Sequence, residues 1–156
     1  MKLFIPGFKD LQVTHLMLDY NGTLACDGRL LAGVQEVLKR LAEEFEIHIV
    51  TGNTHGDAES HLRGIPCTTV MLGPEEGQVS RKAQYLEDLG PNSTVCIGNG
   101  RNDRFMLERA VLGIVVAQEE GAAVEALQAA DVVCPNILSA LSLLTEPKRL
   151  IATLRS

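Results

Sequence analysis

Asp19, Thr51, Lys82, Asn99 and Asp103 are the residues whose types and surroundings could do chemistry together. Asp19 ends an apolar run and is followed by Tyr20-Asn21-Gly22-Thr23-Leu24. A carboxylate held at a strand end before a Gly-containing turn can attack phosphorus, provided a cation offsets the repulsion between two anions. Asp19 and Asp103 offer the hard oxygen donors that Mg²⁺ prefers, and the side chain of Asn99 and the backbone carbonyl of Asn21 could add two more. Thr51, with the N–H of Gly52, could hold phosphoryl oxygens, and Asn53 and His55 beside them could touch a substrate. Lys82 could set its ammonium on both the phosphoryl group and Asp19. Each residue alone has an ordinary structural reading: Asp or Thr as a cap or turn residue, Lys as solvated surface. Their common placement in the fold is what favours a shared site.

That placement follows from the elements. Val13 to Leu18, Glu46 to Val50, Thr68 to Leu72, Thr94 to Ile97 and Leu112 to Val116 read as short strands, with Asp131 to Cys134 as an edge strand. Such brief runs, rich in Val and Ile, suit a parallel sheet covered on both faces. Between them, Val34, Val37, Leu38 and Leu41 repeat at helical spacing, as do Ala83, Leu86 and Leu89, and Val124, Leu127 and Ala130. Pro135 starts a helical segment through Leu144, and Pro147 starts a last helix ending near Leu154. The alternation predicts a doubly wound, mainly parallel α/β sheet with right-handed crossovers and helices on both faces. One domain is expected over residues 1–156. Sheets of this kind bind ligands at the carboxyl ends of their strands, where Asp19, Thr51 and the run Gly98 to Asp103 fall.

The ordered set Asp19-x-x-Gly22-Thr23-Leu24, Thr51, Lys82 and Gly98-x-Gly100-x-Asn102-Asp103 resembles the haloacid dehalogenase superfamily of aspartate-nucleophile phosphohydrolases. The last segment is most similar to the phosphorylation domain of P-type ATPases, and a soluble, capless group related to them matches over nearly the whole chain. The resemblance implies a three-layer Rossmann-like sheet, Mg²⁺ dependence and a phosphoryl group accepted by Asp19. It also implies phosphate contacts from Thr51 and Lys82.

Two positions depart from the pattern. Many relatives carry a general acid/base Asp where this chain has Asn21, and an amide neither gives nor takes a proton usefully. Asn99 stands where a metal-binding Asp is usual, which lowers the negative charge available to a cation. A slow release step on Asp19 is therefore expected. The rival reading is a phosphate- and metal-binding regulatory module, or a partner domain of a transporter. P-type ATPases bind nucleotide through an inserted domain for which this chain has no room, and Tyr20 follows Asp19 where they have Lys, so ATP hydrolysis is not implied. No large cap domain is expected either, because only Ala25 to Leu31 and one helix separate Leu24 from the second strand. The turn Cys26-Asp27-Gly28-Arg29 reads as a small flap or an ordinary hairpin. An open site of this kind suits a large phosphorylated substrate or a homo-oligomer.

Composition limits the alternatives. Net charge is −6, unsuited to a nucleic-acid partner, and 46% of residues are hydrophobic. No apolar run nears the roughly 20 residues of a membrane helix. The start, MKLFIPGFKD, lacks the apolar core of a signal peptide, and Cys26, Cys67, Cys96 and Cys134 form no close pair, so a cytoplasmic protein with reduced thiols is expected. His15 and His48 fall inside strands and read as packed or hydrogen-bonded side chains rather than metal ligands.

Overall fold

The computed structural model describes residues 1–52, 57–73 and 77–156, with the backbone alone at Asp57. Six strands form a parallel sheet: β3 (His15–Asp19), β6 (Glu46–Thr51), β7 (Thr68–Met71), β8 (Thr94–Gly98), β9 (Leu112–Val116) and β10 (Val132–Cys134). Their spatial order is β10-β9-β8-β3-β6-β7. The chain leaves β3 toward β6 and β7, then returns past it to β8, β9 and β10. The reversal lies between β3 and β8, which opens a crevice at the carboxyl ends of those two strands. Asp19 is the last residue of β3.

Alternation along β3 decides which way Asp19 points. Leu16 and Leu18 pack into the larger core, with Ile47, Ile49, Val95 and Ile97. This face is covered by α1 (Val34–Leu41) and α6 (Ile137–Thr145), which pack against each other. Met17 turns to the opposite core, with Val50, Cys96 and Val115. There it meets α3 (Gln78–Leu89), α4 (Arg104–Arg109) and α5 (Val124–Ala129). Because successive side chains alternate, His15 and Asp19 share Met17's face and lie beneath α3. Helix α7 (Pro147–Leu154) follows α6.

The structure extends the sequence reading at several points. The first core strand begins at His15 rather than Val13, because the N–H groups of Val13 and Thr14 bond to the carbonyls of Met1 and Ser93 instead. Met1 lies beside a small hairpin of β1 (Lys2–Phe4) and β2 (Asp10–Gln12), which sequence periodicity did not announce. A second hairpin, β4 (Ala25–Cys26) with β5 (Arg29–Leu30), carries the expected turn. Asp27 and Gly28 both have positive φ, 49° and 75°, the combination a two-residue hairpin loop requires. Between Asp19 and α1 this hairpin is the only insertion. Helix α6 starts at Ile137, two residues after Pro135, with Asn136 as its cap: the Asn136 carboxamide oxygen accepts from the N–H of Ser139. A short helix, α2 (Asp57–His61), also went unpredicted. No helix among the described residues is long and apolar enough to cross a membrane.

Packing between α4 and β9 gives a direct test of this architecture. A Cβ on Gly113 would collide with the backbone carbonyl of Leu107, which a rotamer change cannot relieve. Gly113→Ala is expected to destabilise the protein by roughly 1–3 kcal/mol. Urea unfolding measures this, and an unchanged midpoint would contradict the close approach.

Candidate active site

Lys82 lies in the first turns of α3, beside the carboxyl end of β3, and its side chain turns inward rather than to solvent. Its Nζ donates to Asp19 Oδ1 at 2.5 Å and to Asp103 Oδ1 at 2.6 Å. Lys82 is 1% exposed, Asp103 0% and Asp19 7%. Burial alone would strip the Lys82 proton, but Asp103 and Asp19 outweigh it and hold the ammonium above its ordinary value. Burial likewise raises the Asp19 carboxyl, with Asp103 adding repulsion and Lys82 and Thr23 opposing, and the net value is about 7. With both carboxylates ionised, the two share one ammonium and an excess negative charge is left between them.

Asp103 ends a 3₁₀ turn, Arg101–Asp103, and organises the loop after β8. Its Oδ2 accepts from the N–H groups of Asn99 and Gly100 at 3.0 and 2.8 Å. Both Asp103 oxygens are thus committed to fixed donors.

Asn99 is oriented by a different bond. Its Nδ2 donates to the carbonyl of Gly121 at 3.0 Å, which turns Oδ1 toward Asp19. The Thr23 hydroxyl lies between them, 3.2 Å from Asn99 Oδ1 and 3.3 Å from Asp19 Oδ2. A hydroxyl has one proton, so it cannot satisfy both oxygens at once. Gly22 passes close above with φ 76°, and a Cβ there would strike the Asn99 amide. The backbone of this turn is held from outside. Gln118 Nε2 donates to the carbonyls of Gly22 and Thr23 at 3.0 and 2.7 Å, while its Oε1 accepts from the N–H of Ile137 at the start of α6.

Thr51 ends β6 and is buried at the same rim. Gly52 follows, with no room for a Cβ against the Gln78 carboxamide. Gln78 Nε2 donates to the Gly73 carbonyl, and Gln78 Oε1 accepts from Asn102 Nδ2 at 3.1 Å. Asn53 and His55 lie outside the described residues. The Asn21 side chain is exposed. Of the predicted residues, Asp19, Lys82, Asn99 and Asp103 are joined by hydrogen bonds either directly or through Thr23. Sequence reasoning missed Thr23, Gln78, Asn102 and Gln118. Only Thr23 and Asn102 carried a signal, since both stand inside the motifs already singled out.

The donor set fits a hard divalent cation. Asp19 and Asn99 present converging oxygens that one hydroxyl cannot satisfy, and all donors are oxygen. Asp103 fits less well as a direct ligand, because its oxygens already serve Lys82 and two backbone N–H groups.

No protein-family model matches the chain. It is 42% identical over 78 residues to an uncharacterized protein of Methanocaldococcus jannaschii, a match covering 47% of this chain and 84% of that one. It is 31% identical over 81 residues to a phosphoserine phosphatase of Archaeoglobus fulgidus, covering 52% of this chain but 24% of that protein. Its fold superposes on 3-deoxy-D-manno-octulosonate 8-phosphate phosphatase of Moraxella catarrhalis, solved with magnesium, phosphate and the KDO molecule. That likeness has a TM-score of 0.66 at 15% identity and covers 92% of this chain and 94% of the other. The chain belongs to one family with the Methanocaldococcus jannaschii protein, and its fold is that of solved haloacid dehalogenase superfamily hydrolases.

Proposed function

We propose that this protein is a Mg²⁺-dependent phosphohydrolase or phosphotransferase in which Asp19 accepts the phosphoryl group. The observation that carries the reading is the buried Lys82 ammonium bridging Asp19 and Asp103. A buried cation at a strand-end crevice is what a transferring phosphoryl group requires. The phosphatases among the similar proteins support the same class of chemistry.

In this reading a carboxylate oxygen of Asp19 attacks phosphorus, and an acyl phosphate forms as the leaving alkoxide departs. Lys82 stays protonated throughout and acts as a fixed positive charge beside the phosphoryl oxygens. Thr51 and the N–H of Gly52 hold further phosphoryl oxygens. Asp103 positions Lys82 and the Asn99 loop. Mg²⁺ would be held by Asp19, the Asn21 carbonyl and Asn99, and it supplies the charge that keeps Asp19 ionised and screens the phosphoryl group. Hydrolysis of the acyl phosphate then needs a water to lose a proton, and Asn21 cannot take it. General base help is worth about 10²–10⁴ in rate, so release is expected to limit turnover.

Asn21 and Asn99 also favour a second reading, a phosphate- and metal-binding module with little turnover. The two are separated by assay. With Mg²⁺ and a panel of phosphate esters, wild type is expected to show slow hydrolysis that Asp19→Asn lowers by roughly 10³-fold or more. Equal activity in the two proteins would remove the nucleophile from Asp19, and Mg²⁺ or phosphate binding without turnover would favour the module. Asn21→Asp is expected to speed steady-state hydrolysis, toward about 10²-fold, with a smaller steady-state pool of acid-stable phosphoenzyme. An unchanged pool would place the limiting step elsewhere. The raised Asp19 carboxyl has its own consequence in metal-free protein. It contributes stability below its ordinary value near 3.8, and that contribution is lost as pH rises through about 7. Asp19→Asn should therefore raise the melting temperature at pH 8 and raise it less at pH 5. A gain that is equal at both pH values would contradict the shift.

A further inference from the structure

At the opposite end of the same strands, His15, Glu46 and His48 bring three ligand atoms within 4.8 Å of one another. His15 opens β3, Glu46 opens β6, and the parallel register sets them side by side. His48 lies two residues further along β6, on the face covered by α3. His15 Nδ1 is 3.3 Å from His48 Nε2 and 3.5 Å from Glu46 Oε2. The histidines are hydrogen-bonded, as the sequence suggested, but their spacing has a second meaning. Metal bonds of about 2.0–2.1 Å at tetrahedral angles put neighbouring ligand atoms about 3.3–3.4 Å apart. Both measured separations fall near that edge length.

We propose that His15 Nδ1, His48 Nε2 and the Glu46 carboxylate form a binding site for a zinc-like divalent cation, with a fourth position open to water. Imidazole nitrogens with one carboxylate select late first-row cations over Mg²⁺. The supporting contacts are those such a site needs. His48 Nδ1 lies 2.9 Å from Tyr85 Oη. When Nδ1–H donates to that oxygen, Nε2 keeps its lone pair toward His15, the tautomer a metal requires. His48 is buried, His15 half-buried and Glu46 exposed, which gives a cation a path from solvent.

The site shares no ligand with Asp19, which lies four residues along β3, about 13 Å at roughly 3.3 Å per residue. The two are nonetheless linked through α3. Lys82 and Tyr85 are three residues apart on one helical face, so one turn of α3 reaches Asp19 and the same turn reaches His48. A bound cation would pin the starts of β3 and β6 to the helix that carries Lys82.

The test titrates Zn²⁺, and Co²⁺ as a coloured probe, into protein with excess Mg²⁺. A Cys26→Ser background removes the other cation-capable cluster among the described residues, Cys26, Asp27 and Glu120. One equivalent of Zn²⁺ is expected to bind, and Co²⁺ to give the strong visible absorption of a four-coordinate, imidazole-bound ion. His15→Asn and His48→Gln should each weaken binding by roughly 10–100-fold, as should the positioning variant Tyr85→Phe to a smaller degree, while Asp19→Asn retains it. His15 is only half-buried, so His15→Asn keeps the test informative if His48→Gln unfolds; circular dichroism verifies each fold. Zn²⁺ affinity unchanged in His15→Asn, or Zn²⁺ binding abolished by Asp19→Asn, would overturn the proposal, as would failure of the parent protein to bind Zn²⁺.

Discussion

The Lys82 ammonium could not stay charged in this interior without its two carboxylates, and neither carboxylate would tolerate the other without it. Removing Lys82 would leave two buried carboxylates facing each other, a loss that typically costs about 3–5 kcal/mol because the remaining charges are uncompensated. This triad therefore fixes more than itself. It draws the start of α3 over the end of β3, and through Asp103 Oδ2 it holds the backbone of Asn99 and Gly100 after β8. Three chain segments distant in sequence meet at one cation. The arrangement is costly for stability alone, since the raised Asp19 carboxyl opposes the folded state at neutral pH. Under the proposed function, that cost would be offset by a further cation and a phosphoryl group.

The sheet was legible because its strands are short, β-branched and bounded by polar turns. Glu46 to Val50 and Leu112 to Val116 have the composition of strands buried on both faces, and the structure pairs both within the sheet. The hairpins β1–β2 and β4–β5 were harder to read. Strands of two or three residues carry too little periodicity, and Phe4 remains exposed rather than announcing a core. Val124 fitted a helical repeat yet lies at the exposed start of α5. Within the site, the residues that meet the Lys82 cation were visible because they close strands or open a helix. Gln118 was not, because its role is to donate to the carbonyls of Gly22 and Thr23, almost a hundred residues away. No local pattern marks a side chain whose partners are backbone atoms of a distant turn.

The two ends of the β3 face show how one alternation places different chemistries. His15, Met17 and Asp19 point the same way because they are two residues apart. The middle position is apolar and seals the core, with Val50 and Cys96 around it. Burial also keeps the Cys96 thiol far from ionisation, which leaves it a packing residue despite its nearness to the charged triad. Hard oxygen donors thus gather at the carboxyl end and imidazoles at the amino end. An apolar layer insulates one set from the other.

The amide at position 99 is often weighed only by the charge it lacks. Its hydrogen-bond topology carries a further restriction. Asn99 donates through Nδ2 to the carbonyl of Gly121, and the N–H of Ala123 in turn bonds to the Asn99 carbonyl. A carboxylate in this place would set oxygen against oxygen at the Gly121 contact. The loop between β9 and α5 is therefore matched to an amide, and the charge at position 99 and the path of that loop can change only together.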